Sequence, residues 1–158
     1  MNSGIDQGKA KKIGLALSGG GVRGVSHLGV LQALTDYGIK FSHISGTSAG
    51  AIAAAFFAGG YAPKEILQLI KDNSLLKLLR PSFGGDGLIS ILKARFLISK
   101  YIPHNSFENL KTRITVSAVD LGEAKLVYFT DGELDMAVLA SCCLPGFLSL
   151  LQSTTGCI

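Results

Sequence analysis

Residues Phe41-Ser-His-Ile-Ser45 run without a break into Gly46-Thr47-Ser48-Ala49-Gly50, and that pentapeptide runs straight into Ala51 to Ala58, which holds only alanine, isoleucine and phenylalanine. A serine flanked by glycines at such a junction restricts the fold more than any other feature of the chain. A nucleophile elbow needs a sharp, strained turn from strand to helix, and its flanking positions must be small because side chains there would collide. The apolar run has no polar face and closes at Gly59-Gly60, so the helix expected from Ser48 to Ala58 is buried on all sides. The serine then stands at that helix's N-terminus, where unpaired N–H groups and the helix dipole favour negative charge. Taken alone, the pentapeptide also fits a serine N-cap between small neighbours.

A second strand-to-helix junction precedes it. Ile13-Gly-Leu-Ala-Leu-Ser18 is a short apolar strand that ends in Gly19-Gly-Gly-Val-Arg-Gly24, and Val25, Leu28, Leu31 and Leu34 then follow at helical spacing up to Tyr37, before Gly38. Consecutive glycines leave backbone N–H groups bare, which suits an oxyanion hole for a tetrahedral acyl intermediate, with Arg23 orienting a phosphate or pinning the loop. Gly19, Gly21 and Gly24 also spell G-x-G-x-x-G, the dinucleotide fingerprint, but that reading needs an acid near the end of the next strand. The next strand ends in Ser45-Gly46-Thr47, and no Gly-Lys-Ser or Gly-Lys-Thr follows the glycines to make a P-loop. A nucleotide-binding domain is therefore the weaker alternative.

The rest of the chain continues the alternation. Helices are expected at Pro63 to Asp72, at about Leu88 to Tyr101 after the break at Pro81 and Phe83 to Gly87, and at Glu133 to Cys142 before Pro145. Thr112 to Val119 and Ala124 to Thr130 are β-branched and aromatic and read as strands joined near Leu121-Gly122. The pattern predicts an α/β fold in three layers, with a largely parallel central sheet flanked by helices, as one domain from residue 13 to 158 behind a loose polar arm at residues 1–12.

Of the 158 residues, 47% are hydrophobic and only 16% charged, so this is a chain with a sizeable core and not a disordered one. No apolar run reaches the ~20 residues of a membrane-spanning helix, and no secretory leader is read at the start, so a cytoplasmic protein is expected. The cysteines, Cys142, Cys143 and Cys157, lack paired zinc-site spacing and read as reduced thiols, and no metal or organic cofactor is implied. The net charge of +4 lies wholly between Lys64 and Lys100, where seven basic residues face three acidic ones. Interleaved with Leu88-Ile89, Ile91-Leu92 and Phe96-Leu97-Ile98, that stretch suits a peripheral contact with an anionic lipid surface as well as it suits an ordinary helix pair with a wet side, and not nucleic acid.

Together the glycine loop and the elbow resemble the patatin-like phospholipase family over about Ile13 to Pro145. Lys12 to Gly24 is similar to the family's oxyanion segment, His27-Leu-Gly-Val-Leu31 to the helix after it, and Ala140-Ser-Cys-Cys-Leu-Pro-Gly146 to its helix-end signature. The resemblance implies a fold related to serine lipases and a serine acyl-ester hydrolase of phospholipids or related lipids, of the phospholipase A or lysophospholipase type. In that reading Ser48 is the nucleophile, Gly19, Gly20, Gly21 and the Ala49 N–H form the oxyanion hole, and Arg23, Gly24, Gly46 and Gly50 support them. It also implies a Ser-Asp dyad without catalytic histidine. His27, in the helix after the glycine loop, is expected to pack or cap, His43 to lie well over 10 Å from Ser48 at about 3.3 Å per strand residue, and His104 to sit in a solvated loop.

The dyad aspartate of the family belongs to an Asp-Gly-Gly or Asp-Gly-Ala turn after the Leu144-Pro145-Gly146 region, whereas Phe147 to Ile158 contains neither Asp nor Glu. Asp131-Gly132-Glu133 looks similar but precedes the helix-end signature and is expected to be a strand-to-helix turn with Asp131 as N-cap, and Asp120 is a still weaker candidate base. The expectation is a domain that lacks its dyad aspartate and is inactive as it stands, with a non-catalytic lipid-binding or interaction module as the alternative.

Overall fold

A computed structural model describes residues 12–73 and 95–143, together with the backbone of two short strands, Gln152–Ser153 and Gly156–Cys157. The main sheet has the order β1 (Gly14–Leu17), β2 (His43–Thr47), β3 (Arg113–Asp120), β4 (Lys125–Phe129), with the first three strands parallel and β4 antiparallel to β3. Leu17 sits beside Gly46, Thr47 beside Ser117, and Ser117 beside Tyr128. Strand pleating sends alternate residues to opposite faces, and Leu17, Ile44, Ile114, Val116 and Ala118 are the buried set.

Helices α1 (Ser26–Asp36), α2 (Ala49–Ala58), α3 (Pro63–Asp72) and α5 (Leu134–Cys142) flank the sheet, and α4 occupies 95–101. Their sequences explain their places. In α2 every residue but Phe57 is buried, because the sheet, α1, α3 and α5 surround it, so it has no use for a polar stripe. Near its C-terminal end Phe56 meets Tyr61 edge-on at 5.8 Å, and the Tyr61 hydroxyl donates to the Tyr101 carbonyl at 2.6 Å, tying the segment after α2 to α4. Burying a side chain of this size contributes about 1.5–3 kcal/mol. By contrast α3 is two-faced, with Ile66 and Ile70 inside and Lys64 and Lys71 outside. Pro63 starts it where no N–H is required, and Glu65 accepts the Ala62 N–H at 2.7 Å.

Three expectations shift. The second strand starts at His43 rather than Phe41 and continues to Thr47. Phe41 packs edge-on against Phe57 at 6.2 Å, and the Ser42 N–H donates to the Ile13 carbonyl at 2.8 Å, so the aromatic start of this segment is a core contact and not a strand residue. The first helix opens as a tight 3-10 turn, Gly21–Val25, before α1. Asp131 is not the N-cap of α5: Glu133 holds that position without a side-chain cap, and Asp131 accepts only the neighbouring Thr130 hydroxyl, at 3.3 Å. The capping is done from a distance. The Asn105 carbonyl takes the Leu134 N–H at 3.0 Å and its side-chain oxygen takes the Asp135 N–H at 2.8 Å, so two of the donors at the start of α5 are satisfied from the loop after α4.

Within α4, residues 95–101 are helical as expected, while the break at Pro81 and Phe83 to Gly87, the helix start near Leu88, and the arm at residues 1–11 lie outside the described residues. Among the described residues no helix is long and apolar enough to cross a membrane.

Candidate active site

Ser48 connects the last residue of β2 to the first of α2 with φ 51° and ψ −119°, a conformation that residues with side chains adopt only where the surroundings enforce it. The glycines show what enforces it. A β-carbon on Gly46 would lie 2.6 Å from the Ala51 Cα and 2.7 Å from the Gly50 carbonyl oxygen. One on Gly50 would run into the Leu17 carbonyl and lie 2.7 Å from the Ser18 oxygen, and one on Gly24 would overlap the Ala49 β-carbon. The first turn of α2 is thus pressed against the end of β1 and the 3-10 turn, and glycine is the only residue that permits either approach.

This packing brings the two sequence motifs together. Gly19 faces the serine directly, since a β-carbon there would be 3.6 Å from the Ser48 Cβ and 3.7 Å from the Thr47 carbonyl oxygen. Gly21 turns the loop with φ 53°, whereas Gly20 is extended. Ala49 begins α2, so its N–H is one of the donors that a helix cannot satisfy internally. The Arg23 side chain is exposed, and the pin of the loop is instead His27, whose Nε2–H donates to the Ser18 carbonyl at 2.8 Å. The expectation that His27 packs or caps therefore gains a specific partner. His43 sits at the opposite end of β2 with Nε2 2.8 Å from the Thr115 hydroxyl, and His104 is exposed.

On its other side Ser48 meets the end of α5. The Ser48 N–H donates to the Ser141 Oγ at 2.7 Å, and the Cys142 thiol follows Ser141 at the end of α5. Burial pushes that thiol up to about 12, the Ser48 hydroxyl pulls it the other way, and the adjacent Cys143 raises it. A thiol held neutral in this way can donate a hydrogen bond but cannot serve as a base near neutral pH.

Among the described residues most carboxylates have partners away from Ser48. Asp36 and Asp72 accept from Gln32 and Gln68 in their own helices, Glu65 caps α3, and Glu123 pairs with Lys125 at 2.8 Å. Asp120 accepts the N–H groups of Gly122 and Glu123 to close the β3–β4 turn, and Glu133 and Asp135 face Arg95. Asp131 lies past the end of β4 that points away from the elbow. Thr47 and Tyr128 flank Ser117, so Asp131, three residues beyond Tyr128, is offset by about 10 Å along the strands and by two strand spacings of about 4.8 Å each.

Below the elbow the Thr47 and Ser117 hydroxyls meet at 2.5 Å. They join Ser18, Ser45, Thr115 and Tyr128 around an open cavity of about 230 Å³. A second cavity of about 20 Å³, lined by Val25, Leu28, Ala49, Ile52, Ala53 and Ile70, lies behind the start of α2. Among the described residues no group of histidines, cysteines and acids could hold a metal ion.

Comparison with known proteins identifies the family and the fold. The patatin-like phospholipase family matches residues 15–155. An NTE family protein of Mycobacterium tuberculosis, itself uncharacterized, is 32% identical over 140 residues, 87% of this chain and 39% of its own length. The Lysophospholipase NTE1 of Candida glabrata is 49% identical over 59 residues, 37% of this chain and 3% of its own. Thus the chain spans about two fifths of the mycobacterial relative. Among solved structures, the type III effector protein ExoU superposes with a TM-score of 0.58 at 25% identity, covering 86% of this chain and 41% of ExoU. VipD from Legionella pneumophila superposes with a TM-score of 0.62 at 16% identity, covering 91% of this chain and 44% of VipD, and that likeness is one of fold.

Proposed function

Since the chain belongs to the patatin-like phospholipase family, we propose that it carries the nucleophile half of a lipid acyl-ester hydrolase, with Ser48 attacking the ester carbonyl of a phospholipid or lysophospholipid. The observation that carries this reading is the placement of Gly19 against a Ser48 held at φ 51°. Attack and oxyanion capture must share one carbonyl, so the nucleophile and the donors have to lie on the same few ångströms of surface. The Ser48 Oγ bonds to the carbonyl carbon, and the oxygen gathers negative charge against the N–H groups of Gly19, Gly20, Gly21 and Ala49. The alcohol portion then leaves with a proton, and water releases the fatty acid from the serine ester. The Ser48 proton needs an acceptor, and the aspartate that the family resemblance implies is the group for it. No cofactor enters.

A phosphonofluoridate with a short alkyl group tests the nucleophile without a lipid interface. It should modify Ser48, slowly in the 158-residue chain and faster in a form lengthened through an Asp-Gly-Gly turn, found by mass spectrometry of the peptide that holds the elbow, and leave the other serines untouched. Modification spread over surface serines, or surviving in Ser48→Ala, would remove the basis of the assignment.

Contact with a lipid surface belongs to the same reading. Phe96 is 65% exposed on α4 beside Arg95 and near Lys100, a pairing of apolar and basic groups that suits an anionic interface. Sedimentation with phosphatidylserine vesicles should exceed sedimentation with phosphatidylcholine vesicles and should weaken with salt. Equal binding to both would count against the electrostatic contact.

A further inference from the structure

The bond between the Ser48 amide and Ser141 joins residues 93 positions apart, and it is made at the most constrained residue of the site. Ser48 has two backbone handles. Its carbonyl accepts the Ile52 N–H at 3.1 Å as part of α2, and its N–H reaches away from α2 to the Ser141 oxygen at 2.7 Å. A peptide N–H at the entrance of a helix has no acceptor within that helix, and this one is partly buried, so without Ser141 it would go unsatisfied.

We propose that Ser141 is a positioning residue for Ser48, its oxygen holding the Ser48 amide so that the side chain stays turned toward Gly19. The proposal rests on Ser48 being the nucleophile. With the carbonyl tied into α2 and the N–H tied to α5, neither φ nor ψ can relax toward an unstrained region without breaking a hydrogen bond. The Cβ therefore stays on the side of the residue that faces the glycine loop, 3.6 Å from where a Gly19 side chain would begin. The choice of residue at 141 is specific. Leu134, Ala137, Val138 and Ala140 of α5 are buried apolar packing, and a serine among them has a part to play only where a polar group meets it. The anchor of α5 at its other end, where Asn105 and Arg95 hold Asp135, fixes the helix along its length and so fixes where Ser141 falls.

The test uses the whole chain with Ser141→Ala, Ser141→Thr and Ser141→Cys, and reads two quantities. One is the rate at which the alkyl phosphonofluoridate modifies Ser48, separated into reversible affinity and the bond-forming step. The other is hydrogen exchange at the Ser48 amide. Loss of one well-placed hydrogen bond corresponds to about a tenfold change. Ser141→Ala should therefore slow the bond-forming step about tenfold or more with affinity unchanged, and raise exchange at Ser48 by a similar factor while amides of β1 and β3 stay as they were. Ser141→Thr keeps the oxygen and should restore both. Ser141→Cys preserves shape with a weaker acceptor and should fall between, which decides the matter if the alanine variant does not fold. Unchanged modification and exchange in a folded Ser141→Ala or Ser141→Cys chain would overturn the proposal, as would equal losses in the threonine and alanine variants, which would mark a packing role. A form lengthened through an Asp-Gly-Gly turn that is never modified at Ser48 would instead overturn the hydrolase reading, and the exchange data would still decide whether Ser141 holds the amide.

Discussion

Asp135→Ala is expected to destabilise the protein by about 3 kcal/mol, within the range of about 3–5 kcal/mol for breaking a buried charge pair. The carboxylate is 1% exposed and accepts hydrogen bonds from Arg95 Nε at 2.8 Å, Asn105 Nδ2 at 2.9 Å and Ser99 Oγ at 3.2 Å. Removing it strands the Asn105 and Ser99 donors, each of which then bears its desolvation cost. Arg95 moderates the loss: at 47% side-chain exposure it can turn to water or to Glu133, which is why the lower end of the range is expected. Urea denaturation should show a lower midpoint with an unchanged slope. A loss under about 1 kcal/mol would mean that the network is decorative.

The same group gives a pH signature. Burial pushes the Asp135 carboxyl up, but the hydrogen bond from Asn105, the hydrogen bond and charge of Arg95, and the bond from Ser99 together hold it below the usual value. A depressed acid stabilises the folded state above the unfolded pKa of about 3.9, and that contribution is lost as pH falls through the lower folded value. The parent chain should therefore lose stability more steeply than Asp135→Ala as pH drops below about 4.

What the sequence disclosed and what it withheld divide along a physical line. Elements set by short-range chemistry were legible: Pro63 and Glu65 frame α3, Gly38 and Gly59-Gly60 stop their helices, and the uniform apolar coat of α2 announced its burial. Elements set by pairing across the fold were not. Asn105 caps α5 from a loop 30 residues away, Asp135 depends on α4, and Ser141 reaches Ser48 across 93 residues. A single chain gives no pairwise information at such separations. Yet the residues left a trace. Asp135 and Ser141 are polar positions in the otherwise apolar run Leu134 to Cys142, and a polar group in a buried helix needs a partner somewhere. His27 left less, because a histidine on the first turn of α1 could as well have faced solvent, and only the fold shows it reaching back to the Ser18 carbonyl.

The 158-residue chain, assayed by itself, is expected to hydrolyse short-chain nitrophenyl esters only weakly, and a form lengthened through an Asp-Gly-Gly turn is expected to do so at least about 10³-fold faster. A serine hydroxyl is a poor nucleophile unless a positioned base takes its proton. Among the described residues the candidates near Ser48 do not qualify: the Cys142 thiol is held neutral by a pKa of about 12, and His27 gives its Nε2–H to a carbonyl. Asp120 closes a turn and Asp131 lies toward the other end of the sheet. The glycine loop and the strained elbow would still act on any ester that enters. In serine proteases stripped of triad members such a remnant retains about 10³ to 10⁴-fold over water, so residual turnover that disappears in Ser48→Ala is the expected result. Turnover by the 158-residue chain that matches the lengthened form would show that a base has been overlooked, and Asp131→Asn would be the next variant to measure. If the lengthened form also stays at the residual level while its phosphatidylserine vesicle binding is intact, the lipid-binding alternative becomes the better account of the fold.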